Sequence, residues 1–426
     1  MAAPPAQGAA VLERLRELPG GAEVLELAGT REDVDLVGGA VRDLLLGRTP
    51  REIDLVLDGS PASFPDAAVL FARDLARALA DEREPQVSVH ERFGTAAVGW
   101  SGGRIDIAAR RVEEYPHPGA LPEVRPGDRE QDLRRRDFTV NAIAIGLGGR
   151  RRGEISGAHQ AIADLDAGLL RVLHDGSFRE DPTRLMRLCR YASRLGFEVE
   201  PHTAALAEGA LSAGVLDTVS AARVGAELRL ALGEGDPVGR LRALAQRDVL
   251  AALQPPMRLD EELLRRALAL LPPDGRVEVL ALGCLLVGSA VELGRDGLLA
   301  ALERLEHPGG ERDAAIEAAL RAPGLGRDMA STHAPSQLWD LLAGVAVEAV
   351  ALAAAWAGEA RACQAAELWL GELRHTRLQI GGEDLLAAGL APGPDVGERL
   401  GRALRLRLDG KIEAGREAEL RAALGR

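Results

Sequence analysis

Hydrophobic and polar positions change rhythm partway along the chain. Up to about residue 150, short apolar runs alternate with amphipathic stretches. Residues 34–37, apolar but for Asp35, run into Gly38-Gly39, after which residues 40–46 predict a helix. Ile53–Leu57 alternates with the period of two expected of a half-buried strand. Residues 65–81 predict a helix that carries proline in its first turn. Residues 93–100 and 104–108 predict two strands, and Ser101-Gly102-Gly103 between them is a hairpin signal. This alternation predicts a small mixed sheet with helices packed on it.

From Asp164 onward the strand signals fade and helical periodicity takes over. Helices are predicted over 179–195, 203–211, 221–232, 237–245, 261–271, 277–293, 297–305, 312–321, 338–356 and 360–373, punctuated by Gly and Pro as in PPDG and HPGG. They show no fixed repeat period, which argues against a regular solenoid. A last unit, 378–426, has a Pro/Gly-rich centre joining two helices. The best membrane candidate, 341–357, is Ala-rich and carries Glu348, so it reads as a buried helix of a helical domain. The N-terminal MAAPPAQGAA has neither the basic nor the apolar region of a signal peptide.

Composition narrows the function classes. Hydrophobic residues make up 46% and charged residues 27%, which excludes general disorder. The net charge of −13 excludes a generally basic nucleic-acid coat and leaves room for a local basic cleft. Lys411 is the only lysine, so nearly every cation is an arginine that keeps its charge. Aromatics at 3% argue against RNA readout by many stacked rings. The three cysteines form no Cys-x-x-Cys pair, which argues against a zinc ribbon or disulfide framework and fits a reducing cytoplasm.

Four segments of the first half carry candidate chemistry. Gly38, Gly39, Ala40, Val41 and Arg42 follow a strand and open a helix. Glycines there let backbone N–H groups approach a phosphate, with Arg42 adding charge; the same residues also suit an ordinary tight turn with a solvated arginine. Glu52 and Asp54 share one face of a strand, about 7 Å apart, where they can converge on Mg²⁺ or form a plain polar face. Asp106, between Ile105 and Ile107, is a candidate third carboxylate. Arg134-Arg135-Arg136-Asp137 sets three cations beside one acid, suited to a triphosphate with Asp137 accepting a sugar hydroxyl, or to a loop in which Asp137 neutralises an arginine. Asp181-Pro182 starts a long helix whose Leu185, Leu188, Ala192 and Leu195 form one stripe. Arg184, Arg187, Arg190 and Arg194 lie opposite, either as a solvated face behind an Asp181 N-cap or as a polyanion-binding row. Asp181 and Arg184 offer an acceptor and a donor edge to a nucleobase.

Together these segments resemble the class II tRNA nucleotidyltransferase and bacterial poly(A) polymerase family. VGGAVRDLLLGRTPREIDLV is similar to its first motif; ERFGTAAV, RIDIAARRVEEYPHPGALPEV and DLRRRDFTVNAIAI follow in the family's order. LRVLHDGSFREDPTRLMRLCRYASRLGF is similar to its nucleotide-selecting and neck segment, and LQIGGEDLLAAGLAPGPDVGERL to its C-terminal region. The resemblance is strongest over 34–200 and returns near 378–424.

The resemblance implies an α+β fold, with a polymerase-β-like nucleotidyltransferase head followed by an all-helical neck, body and tail. The corresponding boundaries are an N-terminal helical extension at 1–30, head at 31–150, neck at 151–215, body at 216–376 and tail at 377–426. It implies that Gly38, Gly39 and Arg42 contact the incoming triphosphate, that Glu52 and Asp54 hold Mg²⁺, and that Arg136 holds phosphate while Asp137 reads the ribose. Asp181 and Arg184 would pair with the base of ATP or CTP, and Arg187 and Arg190 would bind phosphates. Position 52 is Glu where the family usually has Asp, which keeps the charge and adds a methylene. The implied activity is template-independent addition of CMP and AMP to the 3′ end of tRNA in the cytoplasm, with release of pyrophosphate. CC-adding, A-adding and poly(A)-polymerising activities share the same base-reading motif. A non-catalytic RNA-binding scaffold with a degenerate head is the rival from another class. The partners implied are tRNA, ATP and CTP, without a membrane; no protein partner is indicated.

All candidate chemistry lies before about residue 195, so the helical half and tail are expected to hold RNA. Deleting 378–426 should raise the apparent KM for tRNA far more than that for CTP. Steady-state kinetics on a truncated protein shown by circular dichroism to be folded checks this. An unchanged tRNA KM would move the RNA-holding role to the neck and body.

Overall fold

The computed structural model describes residues 5–58, 60, 66–80, 83–90 and 94–426. The chain divides into two compact units, Met1–Ser220 and Ala221–Arg426.

The first unit is built on a seven-stranded mixed sheet. Its strands are β1 (Asp35–Val37), β2 (Ile53–Leu57), β3 (Gln86–His90), β4 (Thr95–Trp100) and β5 (Gly103–Ala109), with β8 (Ile143–Gly146) and β9 (Ile155–Gly157). Their order is β3-β4-β5-β2-β1-β8-β9. Only β2 and β5 pair in parallel; the other neighbours are antiparallel. A separate hairpin pairs β6 (Arg111–Glu114) with β7 (Glu123–Pro126). The helices are α1 (Pro5–Arg16), α2 (Gly21–Ala28), α3 (Gly39–Leu45), α4 (Asp66–Leu79), α5 (Arg129–Arg134), α6 (Ala161–Ala167), α7 (Ser177–Glu180) and α8 (Thr183–Leu195).

One face of this sheet is apolar and covered. Leu55, Ile105, Ile107 and Val98 are buried on it, and α4 packs there through Ala68, Phe71, Ala72 and Leu75. The opposite face is apolar at one end only. There Val37, Val56 and Ala144 pack against Leu133 of α5, and buried Asp35 is held by Arg110 at 2.5 Å and by Arg129. The other end of that face carries the candidate chemistry. A capping box between Asp128 and Gln131 fixes where α5 begins.

Strand β2 has the predicted bounds, and the β4–β5 hairpin forms at the predicted place. Residues 65 and 81 of the predicted α4 segment, residue 93 of the predicted strand and residues 91–93 of ERFGTAAV lie outside the described residues, as do residues 1–4. Strands β3, β6, β7, β8 and β9 were not expected; most are short, and β3 is exposed along its length, so none carries a clear alternation.

Three predicted helices are corrected. The helix expected over 179–195 is two, α7 and α8, because Pro182 has no N–H to continue the ladder. Strand signals also persist beyond Asp164, where β10 (Leu169–Leu170) pairs in parallel with β11 (Glu198–Val199). In the second unit the helix expected over 338–356 is two, Pro335–Leu342 and Val347–Ala357, bent by 118° across a break containing Gly344 at φ +79°. The segment expected over 277–293 ends at Leu286 and gives way to Ala290–Arg304, which is itself kinked at Gly294. No single helix among the described residues is long and apolar enough to cross a membrane. Residues Ala349–Ala355 are buried, and Glu348 accepts hydrogen bonds from the Arg276 backbone N–H at 3.0 Å and its Nε at 2.8 Å.

His307 is buried in the second unit. Burial, with Arg229 and Arg312 adding to it, pushes its pKa below the usual value. The folded form therefore binds the proton less readily than the unfolded chain. The stability this contributes is complete above the unfolded value and falls as pH drops below it. His307→Gln should lose less melting temperature than the parent protein between pH 7.5 and 5.5, as measured by calorimetry at matched ionic strength.

Candidate active site

The parallel pairing of β2 and β5 sets Asp54 directly opposite Asp106. Because side chains alternate, both leave the face that buries Ile53, Leu55, Ile105 and Ile107. Glu52, one residue before β2, is exposed beside them. One carboxylate oxygen from each of Glu52, Asp54 and Asp106 lies within 4.8 Å of the others. Burial pushes the Asp54 carboxyl up to about 6; Arg136 opposes the shift, while Glu52 and Asp106 add to it. Arg104 binds Asp106 with both Nε, at 2.9 Å, and Nη2, at 2.7 Å. Three carboxylates this close form a hard-oxygen donor set suited to a divalent cation.

Next to the acids lies the glycine turn. Gly38 has φ +70°, and a Cβ there would stand 2.9 Å from Arg136 Nη1 and 3.9 Å from Asp54 Oδ2. The positive φ favours glycine, and a side chain there would also have to displace the end of Arg136. At Gly39 a Cβ would stand 3.4 Å from Arg42 Nη2.

Arg42 is not the solvated side chain of an ordinary tight turn. It is 1% exposed and donates to Asp43 Oδ1 at 2.8 Å and to Asn141 Oδ1. The reason is that α3 packs against the 3₁₀ turn Thr139–Asn141, which closes over the guanidinium.

The arginine run 134–136 has three different environments. Arg134 is exposed and pairs with Glu130. Arg135 pairs with Asp132 at 2.8 Å and Glu113 at 2.7 Å. Arg136 donates to Asp132 at 2.9 Å and lies over Gly38. Burial alone would raise the Asp132 carboxyl, but Arg135 and Arg136 outweigh it and hold it well below the usual range.

Asp137 is buried, and its Oδ1 accepts from the Phe138 N–H at 2.8 Å and Asn141 Nδ2 at 2.9 Å. Its Oδ2 lies 2.7 Å from Arg187 Nη2. Burial works against the Asp137 charge, while Arg187 and Asn141 prevail and lower its pKa.

Of the two readings of the α8 arginines, the solvated face is not observed. Arg184 and Arg190 are buried, and Arg187 is half-buried against Asp137. Arg194 reaches Asp43 at 2.7 Å. Arg184 donates to Ser177 Oγ at 2.7 Å and to the Arg135 carbonyl at 2.9 Å, tying α8 to the arginine run. Asp181 Oδ1 accepts from the N–H, at 3.0 Å, and Oγ1, at 2.6 Å, of Thr183, the first residue of α8, whose N-cap position is Pro182. A packed helix buries its polar side too when acids and carbonyls of other elements face it.

The structure thus brings Glu52, Asp54 and Asp106 together with Gly38 and Arg136, and links Gly39 and Arg42 through Asn141 to Asp137 and Arg187. Sequence reading missed Asp132 and Asn141. Asp132 had a local signal, since it precedes Arg135 and Arg136 by three and four residues in a helical stretch. Asn141 had none.

Removing one partner from a buried, hydrogen-bonded ion pair leaves an uncompensated charge. Asp132→Ala should therefore cost about 3 kcal/mol or more of stability, read from denaturant unfolding. A change under about 1 kcal/mol would show that Arg135 finds enough support in Glu113 alone.

Residues 34–171 match the poly A polymerase head domain. The CC-adding tRNA nucleotidyltransferase of Deinococcus radiodurans is 34% identical over 93% of this chain and 91% of its own length. The A-adding tRNA nucleotidyltransferase of Geobacter sulfurreducens is 31% identical over 96% of this chain but 46% of its own length. This chain spans about half the length of such A-adding relatives. The Thermotoga maritima CCA-adding enzyme, solved in complex with tRNA, superposes with a TM-score of 0.75 at 27% identity, over 98% of both chains. The acids of β2 and β5, the glycine turn beside them and a similarity that runs nearly end to end in the Deinococcus protein agree, and the chain belongs to the tRNA nucleotidyltransferase family.

Proposed function

We propose that this protein adds CMP and AMP from CTP and ATP to the 3′ end of tRNA in the cytoplasm, without a template and with release of pyrophosphate. The observation that carries the reading is the convergence of Glu52, Asp54 and Asp106 beside a glycine turn overlain by Arg136. In this reading the three carboxylates hold Mg²⁺, which supplies Lewis-acid activation of the RNA 3′ hydroxyl and neutralises the triphosphate. Gly38 and Gly39 let the phosphates approach the backbone, and Arg136 binds them. Arg42 supports the turn from beneath and adds positive potential there. Asp137, fixed by Asn141 and Arg187, accepts the ribose hydroxyl. Asp181 and Arg184 face the base edge, and Arg187 and Arg190 extend the positive potential along α8. Little covalent chemistry falls to the protein, so positioning and electrostatics carry the rate. Within this reading residues 31–150 form the head, 151–215 the neck, 216–376 the body and 377–426 the tail, behind the extension at 1–30.

CC addition alone is the second reading, favoured by the near full-length similarity to the Deinococcus CC-adding protein. The test offers tRNAs lacking the CCA end, ending in one C, or ending in CC, each with CTP, ATP or both. With both nucleotides CCA addition extends all three to full length; CC addition stops at CC. No incorporation with Mg²⁺ into any of them would refute both readings. Asp54→Ala should lower nucleotide addition by at least about a thousandfold while tRNA binding by filter retention stays within about twofold. Full activity of that variant would remove Asp54 from the metal site.

A further inference from the structure

The ring of Tyr191 is the meeting point of three guanidinium groups. Arg42 from α3, Arg187 one turn earlier on α8 and the adjacent Arg190 lie 5.4, 5.9 and 5.0 Å from its centroid. Phe138, next to Asp137 in the chain, meets the same ring edge-on at 5.9 Å and 89°. Arg187 Nη2 also lies 3.5 Å from the Tyr191 hydroxyl.

Three cations gathered so closely repel one another, most strongly where water is scarce, and Arg42 and Arg190 are both buried. Acids carry part of the load: Asp43 pairs with Arg42 and Asp137 with Arg187. A further carboxylate at position 191 would hold the arginines too, but it would also cancel the positive potential that a triphosphate needs. An aromatic face attracts guanidinium groups through its quadrupole and adds no net charge. The ring thereby joins the head's glycine turn, through Arg42, to the ribose-side pair Asp137–Arg187.

We propose that Tyr191 is a positioning residue of the nucleotide site: it holds Arg42, Arg187 and Arg190 in one cluster whose charge is assembled before the triphosphate arrives. This rests on the nucleotide-binding reading above. The ring is the active part and the hydroxyl is secondary.

The test compares the full-length protein with Tyr191→Phe, Tyr191→Leu and pentafluorophenylalanine at position 191, which keeps the ring's shape while reversing the charge of its face. Binding of CTP and of pyrophosphate with Mg²⁺ is measured by calorimetry without RNA; KM and kcat are then measured with tRNA. The Phe variant should bind CTP within about twofold of the parent. The Leu and pentafluoro variants should bind CTP and pyrophosphate roughly tenfold more weakly, with the tRNA KM unchanged. If the Leu variant does not fold, the pentafluoro protein carries the comparison alone. Parent-like CTP and pyrophosphate binding by the pentafluoro protein would overturn the proposal, as would equal losses in the Phe and pentafluoro variants. A lower melting temperature at unchanged affinity would mark Tyr191 as merely structural. CTP binding by the parent without incorporation into any RNA would count against the proposed function and leave the Tyr191 comparison intact.

Discussion

The in-register parallel pairing of β2 with β5 is the constraint on which the site depends. It puts Asp54 beside Asp106 on a face that the apolar residues of the same strands have left. A slip of one residue would turn one acid into the layer packed under α4 and expose an isoleucine in its place. The pairing also sets the electrostatics. Burial raises the Asp54 pKa, and the nearby Glu52 and Asp106 charges add to the shift. The cations nearby answer this, Arg104 at Asp106 and Arg136 near Asp54, the latter lying against Gly38.

Around this face the protein uses arginine as a structural material. A guanidinium keeps its charge when buried and has five donors in a fixed plane, so one side chain can satisfy several acceptors. Arg184 spans Ser177 and the Arg135 carbonyl, and Arg42 spans Asp43 and Asn141. A lysine has a single ammonium and gives up its proton more readily when desolvated. The near absence of lysine from the chain accords with a site whose cations are mostly held inside the protein.

Polar contacts here follow a hierarchy. Asp132 fixes Arg135 and Arg136; Asn141 fixes Asp137 and Arg42; Tyr191 gathers arginines from α3 and α8. Arg136, Asp137 and Arg42 are thus each restrained by a second residue. Such restraint reduces the reorganisation needed when charge develops during reaction.

The sequence by itself determined the features that local pattern controls. The alternation of Ile53–Leu57 marked β2 and the outward face of Asp54, Ser101-Gly102-Gly103 marked the β4–β5 hairpin, and Gly38-Gly39 marked the strand-to-helix turn. The ordered motifs then marked the family before any contact was known. The tertiary structure alone decided which faces are covered. Asp106 became part of the acidic cluster through pairing with a strand distant in sequence, and the arginines of α8 were drawn inward by acids and carbonyls on other elements. Periodicity separates one side of a helix or strand from the other, but it does not say what will pack there. That depends on contacts between distant residues, whose charges and hydrogen bonds decide whether an arginine faces water or the interior.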